Sequence, residues 1–199
     1  VGNAFSKTET VQAALFGAVL LGEVISLWAG VGILVGLIGI LVLSVPPGGF
    51  GRFDPKAVLM GIGSGAAFGV AAVSYRTGAL ALEGTGFVMQ AGLTLMVVVF
   101  FQTLFMGGYL AVAERGELRR VGARWRPVFL VSAVGVISSI GWFTAMALEN
   151  AALVRAVGQI ELIFSILSAG LLFGEKFRGR ELLGIALVSG SILLIVLSS

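Results

Sequence analysis

The chain contains no cysteine and no histidine, so disulfides, thiolate or imidazole metal sites, and histidine-dependent catalytic dyads and triads are all excluded. Without thiols, cysteine usage says nothing about redox compartment. Charge is also scarce: only 12% of the 199 residues are Asp, Glu, Lys or Arg. A soluble domain carries roughly a quarter, so half that proportion leaves too little polar surface to coat a water-soluble globule. Apolar residues make up 58%, mean hydropathy is +1.07, and the apolar residues gather in long runs that only lipid can cover. The 30 glycines are tolerated by membrane helices, where they allow close packing. Lys and Arg give a net charge of +3 but sit in the connections between runs, a pattern of membrane topology and not of a nucleic-acid surface.

A spanning helix needs about 20 mostly apolar residues. Seven segments qualify: roughly 4–21, 25–43, 57–75, 87–112, 128–148, 152–173 and 182–197. None alternates apolar and polar residues as the strands of a membrane barrel do. The expected fold is an all-α, polytopic helical bundle in the membrane, with about seven transmembrane helices. Pro46, Pro47 and Pro55, with their glycines and charges, mark 45–56 as a linker. The chain starts at Val1 with no signal peptide ahead of the first run, and it is expected to begin inside a longer protein.

A shift of 152 positions, without gaps, lays the first two spans over the last two. Glu9, Gly22, Glu23 and Gly32 fall on Glu161, Gly174, Glu175 and Gly184. Leu and Ile matches between apolar helices mean little. A Gly-Glu turn with a glutamate fourteen residues upstream in both copies means more. If this unit ends a repeat of five spans, 1–44 holds the last two helices of a truncated first repeat and 57–199 a complete second one. Five is odd, so the two repeats lie inverted, with a substrate site near the midplane between them.

Ala169-Gly170-Leu171-Leu172-Phe173-Gly174-Glu175-Lys176, followed by Leu183-Gly184-Ile185-Ala186-Leu187 and Gly190, resembles the drug/metabolite transporter superfamily, and within it proteins built from two EamA domains. Gly17-Ala18-Val19-Leu20-Leu21-Gly22-Glu23 with Gly32, and Trp142-Phe143-Thr144-Ala145-Met146-Ala147, are similar to the same domain. The resemblance implies a ten-helix, 5+5 inverted-repeat transporter with a central cavity, linked to a proton or other gradient. The domain's fourth helix often carries a Pro about where Glu9 and Glu161 stand, and this chain departs from it there.

Glu161 is the leading candidate for substrate or proton binding. An ionised carboxylate within a span costs about 2.5–3.5 kcal/mol on insertion scales unless paired or wet, so it faces either a cavity or a local partner. Glu9 is its repeat mate and shares a face with Gln12. Lys7 points away from that face and is expected to pair with another helix or to reach the interface. Arg155 and Gln159 stand one turn apart and form a polar stripe towards Glu161. Trp142, Tyr75, Gln90 and Arg155 are further candidates for lining a pore, with Tyr75-Arg76 and Arg155 reading equally as interfacial anchors. Gly22, Glu23, Gly174 and Glu175 read as structural turns, the carboxylates capping or orienting the next helix. Gly61, Gly65 and Gly69 read as a packing stripe and not a phosphate loop.

The expected function is secondary transport, as export or exchange, of a small organic metabolite by alternating access. A non-transporting membrane scaffold, with the polar residues acting as helix-packing glue, is the alternative. No enzymatic activity, cofactor or metal is expected. The expected partners are the lipid bilayer, a small-molecule substrate, a proton or other coupling ion, and a second copy in a homodimer. The expected location is the cell (inner) membrane, multi-pass. The basic connections 45–56, 113–126 and 175–180 lie on one side, which the positive-inside rule places in the cytoplasm. The resemblance implies the reverse.

Overall fold

The computed structural model describes residues 5–44, 54–82, 84–114, 116–173 and 179–198. Apart from short connections these are helical: α1 (Glu9–Leu21), α2 (Leu27–Ser44), α3 (Pro55–Leu80), α4 (Phe87–Val112), α5 (Glu117–Ala123), α6 (Trp125–Leu148), α7 (Ala151–Gly158), α8 (Ile160–Phe173) and α9 (Gly179–Ser198). By length and apolarity α3, α4, α6, α9 and the run Ala151–Ser168 can each cross a membrane, while α1 and α2 are shorter apolar helices. These elements match the seven expected segments and make an integral, multi-pass helical membrane protein. Two features were not expected. The charged connection after α4 holds the short helix α5, and the sixth segment is broken at Gln159 into α7 and α8. The break falls at Gly158-Gln159, with Glu161 just beyond, inside what the sequence reads as one span.

The chain forms two compact units, 1–74 with 149–199, and 75–148. In the first unit the core joins α1, α2, α7 and α9 through Ala13, Ala29, Ile33, Ala152, Leu153, Ala156 and Ile195. Alanine predominates in that set, and small side chains let the helices approach closely. Gly61, Gly65 and Gly69 lie on the buried face of α3, while 62–64, 67 and 68 are exposed. A Cβ on Gly65 would stand 2.8 Å from the Ser6 carbonyl oxygen, and one on Gly69 would stand 3.1 Å from Ala13 N. The stripe therefore lets α3 lie against the backbone at the start of α1.

The α2–α9 contact obeys the 152-residue shift. Gly32 meets Ile195, Gly36 meets Ser191, Gly39 meets Val188, and Gly184 meets Leu43. The numbers rise on one helix as they fall on the other, so the pair is antiparallel. Applying the shift to both partners turns the Gly32–Ile195 contact into Gly184–Leu43, and Gly39–Val188 into Ser191–Gly36. A Cβ on Gly32 would lie 3.1 Å from the Ser191 carbonyl oxygen, and one on Gly184 would lie 3.1 Å from that of Gly39, which is the shifted mate. The two copies are thus related by a local two-fold axis perpendicular to the helices. For helices that cross a bilayer such an axis lies in the membrane plane, as inverted repeats require.

In the second unit α4 and α6 pack around Ala79, Ala91, Phe143 and Ala147. Tyr75 stacks on Phe143 with ring centroids 4.6 Å apart. Arg76 Nη1 donates to the carbonyls of Met146 (3.0 Å) and Ala147 (3.4 Å), satisfying acceptors that the end of α6 leaves open.

Candidate functional site

The polar side chains of the first unit converge where its two repeat-related helices break. The first copy has a turn at Lys7 and Thr8 before α1, and the second has one at Gln159 before α8; the 152-residue shift carries Lys7 onto Gln159. Short i to i+3 bonds tighten both places: Thr8 N–H to Phe5 O at 3.2 Å, Gln159 N–H to Ala156 O at 3.1 Å, and Leu162 N–H to Gln159 O at 3.0 Å. Asn150 starts α7, its side-chain oxygen accepting from Ala152 N at 3.0 Å.

Glu9 is buried, and Arg155 holds it with Nη2 2.6 Å from Oε1. Gln159 Nε2 donates to the same oxygen at 3.5 Å and to Thr10 Oγ1 at 3.2 Å. Lys7 Nζ pairs with Glu161 Oε1. These contacts also exchange under the shift, since Lys7–Glu161 becomes Gln159–Glu9. The copies differ in their cations. Arg155 corresponds to Asn3 in the first copy, so the Glu9–Arg155 pair has no basic mate there. The two carboxylates differ in exposure as well: the Glu161 side chain is 56% exposed, that of Glu9 4%.

The Arg155 guanidinium also lies 5.7 Å from the centre of the Phe68 ring. Gln12 Nε2 donates to Thr8 Oγ1 (3.2 Å) and to the Ile62 carbonyl (3.3 Å), which ties α1 to α3. Gln159 Oε1 is buried with no hydrogen-bond partner among the described residues. Gln159 lines, with Lys7, Thr10 and Ser191, a cavity of about 10 Å³. That is the size of a single water.

Of the binding candidates read from the sequence, Lys7, Glu9, Gln12, Arg155, Gln159 and Glu161 therefore fall in one cluster. Trp142 belongs to the second unit, as do Tyr75 and Gln90, and Gln90 Nε2 donates to the Leu82 carbonyl at 3.4 Å. Arg155, expected on a stripe towards Glu161, pairs with Glu9 on another helix, and Lys7 pairs with Glu161. Thr10 is a member that sequence reasoning missed, and no charge or repeat match singled it out.

Gly22 ends α1 in the left-handed conformation, φ 65°, as a glycine turn requires. The start of α2 is set by Ser26, whose Oγ accepts from Ala29 N at 3.2 Å, where the sequence reading gave that role to Glu23. Glu23 turns back towards α1, and its Oε2 would stand 2.9 Å from a Cβ on Gly17. Gly174 and Glu175 lie outside the described residues. Among the described residues no three acidic side chains gather as a metal site would need.

The EamA-like transporter family model matches residues 55–197. The chain belongs to the EamA-like transporter family. Among solved structures, the EamA-like chain is similar to a crystal structure described only as that of a protein. Identity is 22% and the TM-score 0.70, with all of this chain and 68% of that chain covered, a likeness of fold alone. None of the curated proteins compared with it matches.

Proposed function

We propose that this EamA-like protein is a secondary transporter that moves a small organic metabolite by alternating access, with Glu161 as the carboxylate that meets the substrate cation or coupling proton. One observation carries the reading. Glu161 is a half-exposed carboxylate ten residues, about 15 Å of helix, into the run from Ala151 that is long and apolar enough to cross a membrane. A charge at that depth is costly and marks a pathway. A helix broken at membrane depth is how transporters build midplane sites. The symmetric contacts of α2 with α9 support the division into a first repeat ending at 44, a linker at 45–56 and a second repeat at 57–199. The cell (inner) membrane is the proposed location.

One observation favours the scaffold reading for part of the cluster. Glu9, Thr10 and Gln159 are sealed from solvent and bonded to one another or to Arg155, as helix-packing glue would be. Glu161 therefore separates the readings. In proteoliposomes screened for metabolite uptake and export, Glu161→Gln is expected to lower transport about 10–100-fold, the worth of a hydrogen bond to a charged group. Helicity and reconstituted amount should be unchanged. Undiminished transport by that variant would remove Glu161 from the pathway, and the absence of transport by the parent across the screen would favour the scaffold.

A further inference from the structure

The connection between α4 and α6 is exposed along its described length apart from the half-buried Glu117, and it carries Arg115, Arg119, Arg120, Arg124 and Arg126 against Glu114 and Glu117. Its helix α5 has seven residues, none of them buried. A helix that short does not persist in water by its own propensity. Leu118 and Val121 stand three residues apart on one face of α5, Trp125 opens α6 just beyond the turn at Arg124, and the three are 48%, 45% and 61% exposed. Arg120 is occupied by Glu117 at 2.5 Å, and the Arg126 guanidinium lies 5.6 Å from the Trp125 ring centre. Arg119 and Arg124 have no ion-pair partner among the described residues.

The segment sits where one spanning helix ends and the next begins, at the level of the headgroups. An apolar face with a tryptophan there belongs in the acyl boundary. The arginines around it then stand at the height of the phosphates, and a guanidinium fork matches phosphate oxygens in pairs. We propose that residues 116–126 form an interfacial clasp for anionic phospholipid: Leu118, Val121 and Trp125 enter the acyl boundary, while Arg119, Arg124 and Arg126 hold headgroup phosphates. Charge complementarity selects the occupant, because a zwitterionic headgroup pairs each phosphate with a choline cation that opposes the guanidinium groups, whereas an anionic headgroup leaves its phosphate charge free for them. This holds whether or not the protein transports.

The test reconstitutes the full chain in phosphatidylcholine with a minor fraction of phosphatidylglycerol and measures by native mass spectrometry how strongly phosphatidylglycerol is retained. The parent is expected to retain it selectively. Each of Arg119→Gln, Arg124→Gln and Arg126→Gln should weaken retention about fivefold, and the triple variant about a hundredfold. Lys56→Gln, in the first turn of α3, should leave retention unchanged. Where the triple variant loses helicity, the three single variants carry the measurement. Retention equal to the parent in all of them, or an equal loss in Lys56→Gln, would overturn the clasp. Release of the lipid by millimolar inorganic phosphate would also overturn it, by showing a site for free phosphate.

Discussion

Arg155→Leu is expected to destabilise the folded protein by about 3–5 kcal/mol, the largest effect of any single substitution in the polar cluster. The cause is the group it leaves behind. Glu9 is 3% exposed, and without the 2.6 Å contact to Arg155 it keeps one amide donor, Gln159, at 3.5 Å. Removing one partner of a buried pair costs far more than the pair itself contributes, because an uncompensated charge remains. The double variant Glu9→Leu with Arg155→Leu is therefore expected to recover most of the loss. The Gln159 amide keeps Thr10 as a partner at 3.2 Å, and two apolar side chains replace two desolvated charges. Reversible unfolding in mixed micelles measures both. A double variant no more stable than Arg155→Leu alone would show that neither charge acts through the other.

Gly39→Leu is expected to cost about 1–3 kcal/mol and to separate α2 from α9. A Cβ there would already stand 2.9 Å from Leu187 Cβ, 3.0 Å from Val188 Cγ2 and 3.1 Å from Val188 N. Two of those atoms belong to side chains close to their own backbone and the third is backbone, so the helix itself must move. In a bilayer the hydrophobic effect does not press helices together, and close approach through small residues is the main attraction that remains. Gly30, on the same helix, is the control: nothing lies within 4 Å of its Cβ position. Gly30→Leu should change stability by less than about 0.5 kcal/mol. The same unfolding assay, with a cysteine cross-link between α2 and α9 in a chain that has no native cysteine, reads the separation directly. Equal effects at Gly39 and Gly30 would show that the contact is not what holds the two helices.

The spans were legible because lipid imposes a single requirement, a long apolar run, and the sequence meets it seven times. The repeat was legible at Glu9 and Glu161, where charge is expensive enough for coincidence to be a poor explanation. The partners of those carboxylates were not. Arg155 and Gln159 are neighbours on one helix, so local spacing suggests a shared stripe towards Glu161. Which carboxylate Arg155 meets is decided by tertiary packing, and the structure pairs it with Glu9. Ser26 is hidden for a similar reason: its role depends on where α2 starts, and the apolar run does not mark that start to within a turn. The break at Gln159 falls among Arg155, Gln159 and Glu161, whose polarity reads equally well as a stripe on one unbroken helix, so the sequence does not mark where the helix turns.

Because the glycine contacts of α2 with α9 map onto one another under the shift, Leu27–Ser44 meets Gly179–Ser198 as it would meet an antiparallel copy of itself. Such an isologous surface uses the same patch on both partners and is satisfied once they meet. Each copy of the patch is covered by the other, so this pairing closes within one chain. It also binds the two helices to a common fate in sequence: a larger residue at Gly32 must be accommodated at Ile195, and one at Gly184 must be accommodated at Leu43.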